Sequence, residues 1–151
     1  METMTDRLRE ELKIDEGCKY DVYLDHLGLP TFGIGHLVTE QDPEHRQPVG
    51  TKVDEIRVNE CFNQGIMVTL QDCETVFSDF KSLPEEVRLI VANMMFNLGR
   101  PRFSKFKKCI QAIKYGDWLE AGNQMKDSRW YKQVTNRADR LISRMKAVGL
   151  Q

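Results

Sequence analysis

Apolar residues recur along the chain at two spacings, and the change from one to the other marks the elements. Between Asp6 and Glu16, Leu8 and Leu12 stand four apart among charged residues, with Ile14 less regular, which predicts one short amphipathic helix. Thr5 is placed to cap its start and Gly17 to end it. The texture then changes. Tyr20, Val22, Tyr23, Leu24, Phe32, Ile34, Leu37 and Val38 are strand formers punctuated by Gly28, Pro30, Gly33 and Gly35, the signature of a small hairpin-rich sheet. A polar stretch with two prolines, Glu40 to Gly50, predicts a loop, and a helical run follows from about Val53 toward Ser78, as one helix or two.

Ser82-Leu83-Pro84-Glu85 has the form of a capping box, with Ser and Glu three apart. After it, Val87, Ile90, Val91, Met94, Met95 and Leu98 follow helical spacing, Leu89, Ala92 and Phe96 fill the other faces, and Gly99 stands at the C-cap. That predicts a helix buried nearly all round, at the centre of the larger lobe. Shorter helices are expected over Ser104 to Tyr115, ended by Gly116, over Asp117 to about Met125, and over Thr135 to Ala147, closed by Gly149. There is no internal repeat.

Helix, small sheet, connecting helix and helical bundle in that order make an α+β fold with the sheet segregated at one end. The 151 residues suffice for one domain with a sizeable core. The expected division is a β-rich lobe over about 17–53, a connecting helix over 54–75, and a helical lobe over 76–151 that also takes in the N-terminal helix 5–16. A cleft between two lobes is the expected substrate site.

The net charge of −1 hides an asymmetry: residues 1–100 carry 10 Lys and Arg against 19 Asp and Glu, and residues 101–151 carry 12 against 4. The basic last third could meet a polyanion or simply the acidic part of its own chain. The apolar runs are only a few residues long, far short of the ~18 that span a bilayer. The polar start lacks the apolar segment of a secretory signal, so synthesis in a cytoplasm is expected. Cys18, Cys61, Cys73 and Cys109 are scattered and read as reduced, mostly buried thiols.

Glu16 at a helix end and Asp25 nine residues later can face each other, and two carboxyl groups in unlike settings are the minimum apparatus for glycoside hydrolysis. Spacing alone is a weak signal among 23 acidic residues. Gly33-Ile34-Gly35 lacks the rest of a phosphate-binding loop, and His26, His36 and His45 have no metal-ligand spacing. No motif for a serine or cysteine nucleophile is present. Arg129-Trp130-Tyr131-Lys132 could stack on a base or a sugar, or pack at a helix end.

The setting of the two carboxylates is more specific than their spacing. Ile14-Asp15-Glu16-Gly17, Tyr23-Leu24-Asp25, Gly28 and Thr31-Phe32-Gly33-Ile34-Gly35-His36-Leu37 together resemble the catalytic stretch of the phage-type lysozymes. That family's pattern is Glu, eight residues, Asp, five residues, Thr. Cys61-Phe62-Asn63-Gln64 is similar to its connecting helix and Asn93-Met94-Met95-Phe96-Asn97-Leu98-Gly99 to its central helix. Ser128-Arg129-Trp130-Tyr131-Lys132-Gln133 with Asn136-Arg137-Ala138 is similar to a late signature. The resemblance spans about residues 8–146.

It implies a two-lobe lysozyme-like fold and an inverting muramidase that cleaves the β-1,4 bond between N-acetylmuramic acid and N-acetylglucosamine. Glu16 would be the general acid, and Asp25 and Thr31 would hold the attacking water. Arg137 would support the site by pairing with the catalytic Glu, and Gly35, Leu37, Phe96 and Asn97 would contact the glycan. Tight-turn geometry also explains Gly35, and core packing also explains Leu37 and Phe96. The family's histidine at the position of His36 pairs with an aspartate where this chain has Gly65, so a different tie in the larger lobe is expected for His36. Pro30 stiffens the loop that presents Thr31.

No cofactor or metal is expected. The implied role is a monomeric phage endolysin, made in the host cytoplasm and acting on the cell wall in the periplasm once a separate holin-like protein has permeabilised the membrane. No nucleic-acid partner and no stable membrane insertion are expected. The alternative is a non-catalytic lysozyme-fold module that binds peptidoglycan or a protein partner, since fold alone does not secure activity. Glu16, Asp25 and Thr31 occurring together argue against it.

Overall fold

A computed structural model describes residues 1–150. The fold is α+β, as the order of elements predicted, with eight α-helices and one three-stranded antiparallel sheet among the described residues. No helix among them is long and apolar enough to cross a membrane. The chain divides into two compact units, Met1–Val68 and the remainder from Thr69.

The first unit opens with α1 (Met4–Glu16), which begins two residues before the expected start. Thr3, not Thr5, caps it: the Thr3 hydroxyl accepts from the Asp6 N–H, and the Asp6 carboxylate accepts from the Thr3 N–H. Leu8 and Leu12, four apart, are fully buried. The sheet follows as β1 (Lys19–Leu24), β2 (Pro30–Gly33) and β3 (His36–Leu37), in that order. Tyr23 pairs with Thr31, Thr31 with Leu37, and the register on β1 is irregular between Lys19 and Tyr23, the mark of a bulge. Residues 39–50 form turns, and Asp54 caps the next helix through the Arg57 N–H.

That helix, α2 (Glu55–Val76), is a single helix of 22 residues despite Gly65 in its interior. Its first half packs on the rest of the unit. Val58 lies so close to Gly33 that a side-chain carbon at Gly33 would stand 3.0 Å from it, and the Arg9 guanidinium of α1 lies over the Phe62 ring and bonds Asn63.

The second unit is built on α3 (Glu85–Leu98), of which nine residues are buried, as its apolar pattern predicted. Its start differs from expectation. Ser82 is used in a short 3₁₀ turn, Phe80–Ser82, so no capping box forms; Pro84 occupies the N-cap without a side-chain bond, and Glu85 and Glu86 meet the helix dipole instead. The expected helix from Ser104 to Tyr115 is α5 (Lys107–Lys114), and an unpredicted short helix, α4 (Arg100–Phe103), precedes it. Then come α6 (Trp118–Lys126), the unpredicted α7 (Arg129–Gln133) capped by Ser128, and α8 (Thr135–Val148). α8 packs on α3 and α6. An aromatic series, Phe77, Phe103, Phe106 and Trp130, runs through this unit with ring centroids 6.1–6.2 Å apart.

Candidate active site

Glu16 is the last residue of α1, which ends as the Gly17 N–H returns to the Lys13 carbonyl at 3.0 Å. Its carboxyl lies against the turn between β2 and β3. A side-chain carbon placed on Gly35 would stand 2.7 Å from Glu16 Oε1 and 2.9 Å from Cδ. Gly35 also has a φ of +67°, which L side chains rarely adopt, so turn geometry and room for the carboxyl both call for glycine there.

Asp25 follows β1 and is held by the turn it begins. Its Oδ1 accepts from the Leu27 N–H at 2.8 Å and the Leu29 N–H at 2.9 Å, and its own N–H donates to the Leu29 carbonyl at 3.0 Å. Among the described residues Oδ2 accepts no hydrogen bond. Thr31, only 4% exposed, donates its hydroxyl to that same Leu29 carbonyl at 2.9 Å. The main chain of Leu29 therefore fixes both residues at once, and Pro30 confines Leu29 to an extended conformation. With its proton committed to a carbonyl, Thr31 Oγ1 offers lone pairs to a water.

Leu37 is 47% exposed, so core packing does not explain it, and it pairs across the sheet with Thr31. His36 has a partner in its own unit, correcting the expectation of a tie in the larger lobe. Its Nε2 is 2.9 Å from Asp42 Oδ2, and its ring packs on Phe32 with centroids 4.7 Å apart. Asp42 also accepts from the Thr39 N–H and from Arg57, and Arg57 binds Glu44 as well. Burial pushes the Asp42 carboxyl up, but the bonds from Thr39, His36 and Arg57 outweigh it and hold it below the usual carboxylate range.

In the second unit Arg137 is buried, at 7% exposure, which excludes a simple surface charge. Its Nε donates to Asn93 Oδ1 at 2.8 Å, and Asn93 is fully buried on α3. The Asn97 side-chain oxygen accepts from the Trp130 indole at 2.7 Å, and Phe96 is partly exposed. A cavity of about 720 Å³ in this unit is lined by Arg102, Lys105, Lys107, Lys108 and Arg129 against one acid, Asp127, with Phe106 and Trp130 also in its wall, which gives the basic last third a concave face.

A sequence model of the phage lysozyme family matches residues 13–147. The chain belongs to the phage lysozyme family. It is 31% identical to a probable T4-type lysozyme 2 of Dictyostelium discoideum, over 93% of this chain and 94% of that protein, and 30% identical to a probable T4-type lysozyme 1 of the same organism with the same coverage. It is also 27% identical to the pre-baseplate central spike protein Gp5 of Enterobacteria phage T4, where 89% of this chain matches 26% of that protein. Membership makes this lysozyme a glycoside hydrolase whose substrate class is peptidoglycan.

Three features around the candidate residues escaped the reading of the sequence. The Leu29 main chain and the Asn93 amide act on residues that were singled out, through bonds that form only in the fold. Asp42 lies six residues beyond His36 in a polar loop, where several acidic residues compete for the role.

Proposed function

We propose that this lysozyme is an inverting muramidase that hydrolyses the β-1,4 bond between N-acetylmuramic acid and N-acetylglucosamine. The observation that carries the reading is the shared anchoring of Asp25 and Thr31 on Leu29, with Glu16 held against the bare backbone of Gly35 in the same unit. Glu16 protonates the leaving oxygen. Asp25 takes the proton of a water that also donates to Thr31 Oγ1, and the water oxygen attacks the anomeric carbon from the opposite face, which inverts it. By this reading Arg137 supports the site, and Gly35, Leu37, Phe96 and Asn97 contact the glycan.

The reading extends to a monomeric endolysin that reaches the periplasmic face of the wall after a holin-like protein opens the membrane. The basic cavity suits the anionic wall. Likeness to a phage spike protein favours a second setting, in which the same activity serves entry rather than lysis. The test is clearing of outer-membrane-permeabilised Gram-negative cells by the parent and by Glu16→Gln, with new reducing ends and the anomer of the product followed by NMR. The expected result is α-anomer first from the parent and no turnover from a folded Glu16→Gln protein. A folded parent that binds peptidoglycan without releasing reducing ends refutes the reading.

A further inference from the structure

Tyr23, Thr31 and Leu37 form one row across the three strands, on one face of the sheet, because Thr31 pairs with Tyr23 on one side and Leu37 on the other. Asp25 stands just past the end of β1, two residues beyond Tyr23. We propose that Tyr23 is a positioning residue of the hydrolytic site, its phenol O–H acting with Thr31 and Asp25 on the attacking water. The inference rests on the muramidase reading of that site.

The argument is one of donors and acceptors. Thr31 gives its proton to the Leu29 carbonyl, and an ionised Asp25 has no proton to give, so both offer the water only lone pairs. Two acceptors orient a water through its O–H bonds but hold its oxygen from one side only. A donor on the water oxygen fixes one lone pair and aims the other, and the Tyr23 O–H is a donor in the same row. In the step itself the water oxygen bonds to the anomeric carbon as the glycosidic bond breaks. The water proton passes to Asp25, the Glu16 proton passes to the leaving oxygen, and the Tyr23 proton stays in place.

The surroundings of Tyr23 keep it a donor. The ring is half-buried, with the Lys19 ammonium 4.2 Å from its centroid, and Glu16, Cys18 and Asp25 are the other ionisable groups acting on it. Burial first, then the charges of Glu16 and Asp25, push the phenol above its ordinary value of 10.0, so it is neutral throughout the range in which a glycosidase works. The bulge between Lys19 and Tyr23 re-aims this end of the strand.

The experiment compares the parent with Tyr23→Phe, which keeps the ring and removes the O–H. The expected result is an unchanged melting temperature, a KM within about threefold of the parent and a kcat lowered about 10- to 100-fold, as for a misplaced reactant. Separately, the Tyr23 ¹³Cζ titration midpoint falls in Glu16→Gln and in Asp25→Asn, and this readout needs no turnover. Parental kcat in a folded Tyr23→Phe overturns the proposal. So does a loss confined to KM, a loss that follows thermal stability, or a Tyr23 midpoint that neither carboxyl variant moves. A parent without turnover shows as a loss in the parent rather than a difference between the two, and refutes the muramidase reading together with this inference.

Discussion

Replacing Gly35 with Ala separates the two demands placed on that position, because each has its own magnitude. The positive φ makes an L side chain unfavourable by about 1–2 kcal/mol, which at this chain length lowers Tm by about 2–8 °C. The second demand concerns Glu16. Ordinary contact begins at 3.4 Å, and the new carbon would stand 2.7 Å from Oε1, so the carboxyl must retreat by about 0.7 Å. Because the obstructing group ends a side chain, the fold survives and the carboxyl moves. A shift approaching 1 Å in a reacting group costs up to about 100-fold, so kcat is expected to fall 10- to 100-fold, about 1.4–2.7 kcal/mol of barrier.

Gly116→Ala is the control: φ there is +71°, but the nearest atom to the new carbon is Trp118 Cζ2, at 3.8 Å. Reducing-end release per folded molecule, beside thermal melts, reads both variants. Gly116→Ala is expected to lose stability and keep parental kcat. If Gly35→Ala keeps more than a third of parental kcat while folded, or if both variants lose activity alike, the close approach to Glu16 has no catalytic meaning.

The Asp42 carboxyl has a lower value in the folded protein than in the unfolded chain, so its contribution to stability is complete above about pH 4 and is lost as pH falls through the folded value. Asp42→Asn is therefore expected to cost about 1–2 kcal/mol in urea unfolding at pH 7 and progressively less in acid; a difference that does not vary with pH contradicts this. Among the four cysteines, Cys18 is exposed, whereas burial pushes Cys61 and Cys73 up and takes Cys109 to about 12. One thiol is expected to react promptly with Ellman's reagent in the native protein and four after denaturation, and two or more prompt native thiols would count against the packing described.

How much of this was legible in the sequence depended on how many residues carried each signal. The α3 helix was plain because six buried apolar positions, Val87, Ile90, Val91, Met94, Met95 and Leu98, follow helical spacing. α7 has five residues, too few for a period to show, and only Ser128 announced it. The four residues of α4 are likewise too few to show a period, and α5 starts later than expected because residues 104–106 lie in the turn between the two helices. Thr5 and Ser82 carry capping chemistry, but Thr3 takes the role at α1, and Ser82 is drawn into the 3₁₀ turn and leaves the start of α3 without a side-chain cap. At the site, the spacing of Glu16, Asp25 and Thr31 could be read, since side chains name themselves. Leu29 could not, because it works through atoms that every residue has.

That last point bears on how such an enzyme can be dissected and how it can change. The Leu29 side chain is 42% exposed, and what matters for Asp25 and Thr31 is its amide and carbonyl, so an alanine scan is expected to pass over the position as neutral. Replacing the amide with an ester at this one residue removes the donor to Asp25 while sparing every side chain, and reveals what genetic substitution conceals. For the same reason the position is open to drift in identity but closed to drift in length: inserting one residue between Asp25 and Thr31 uncouples the pair, whatever that residue is.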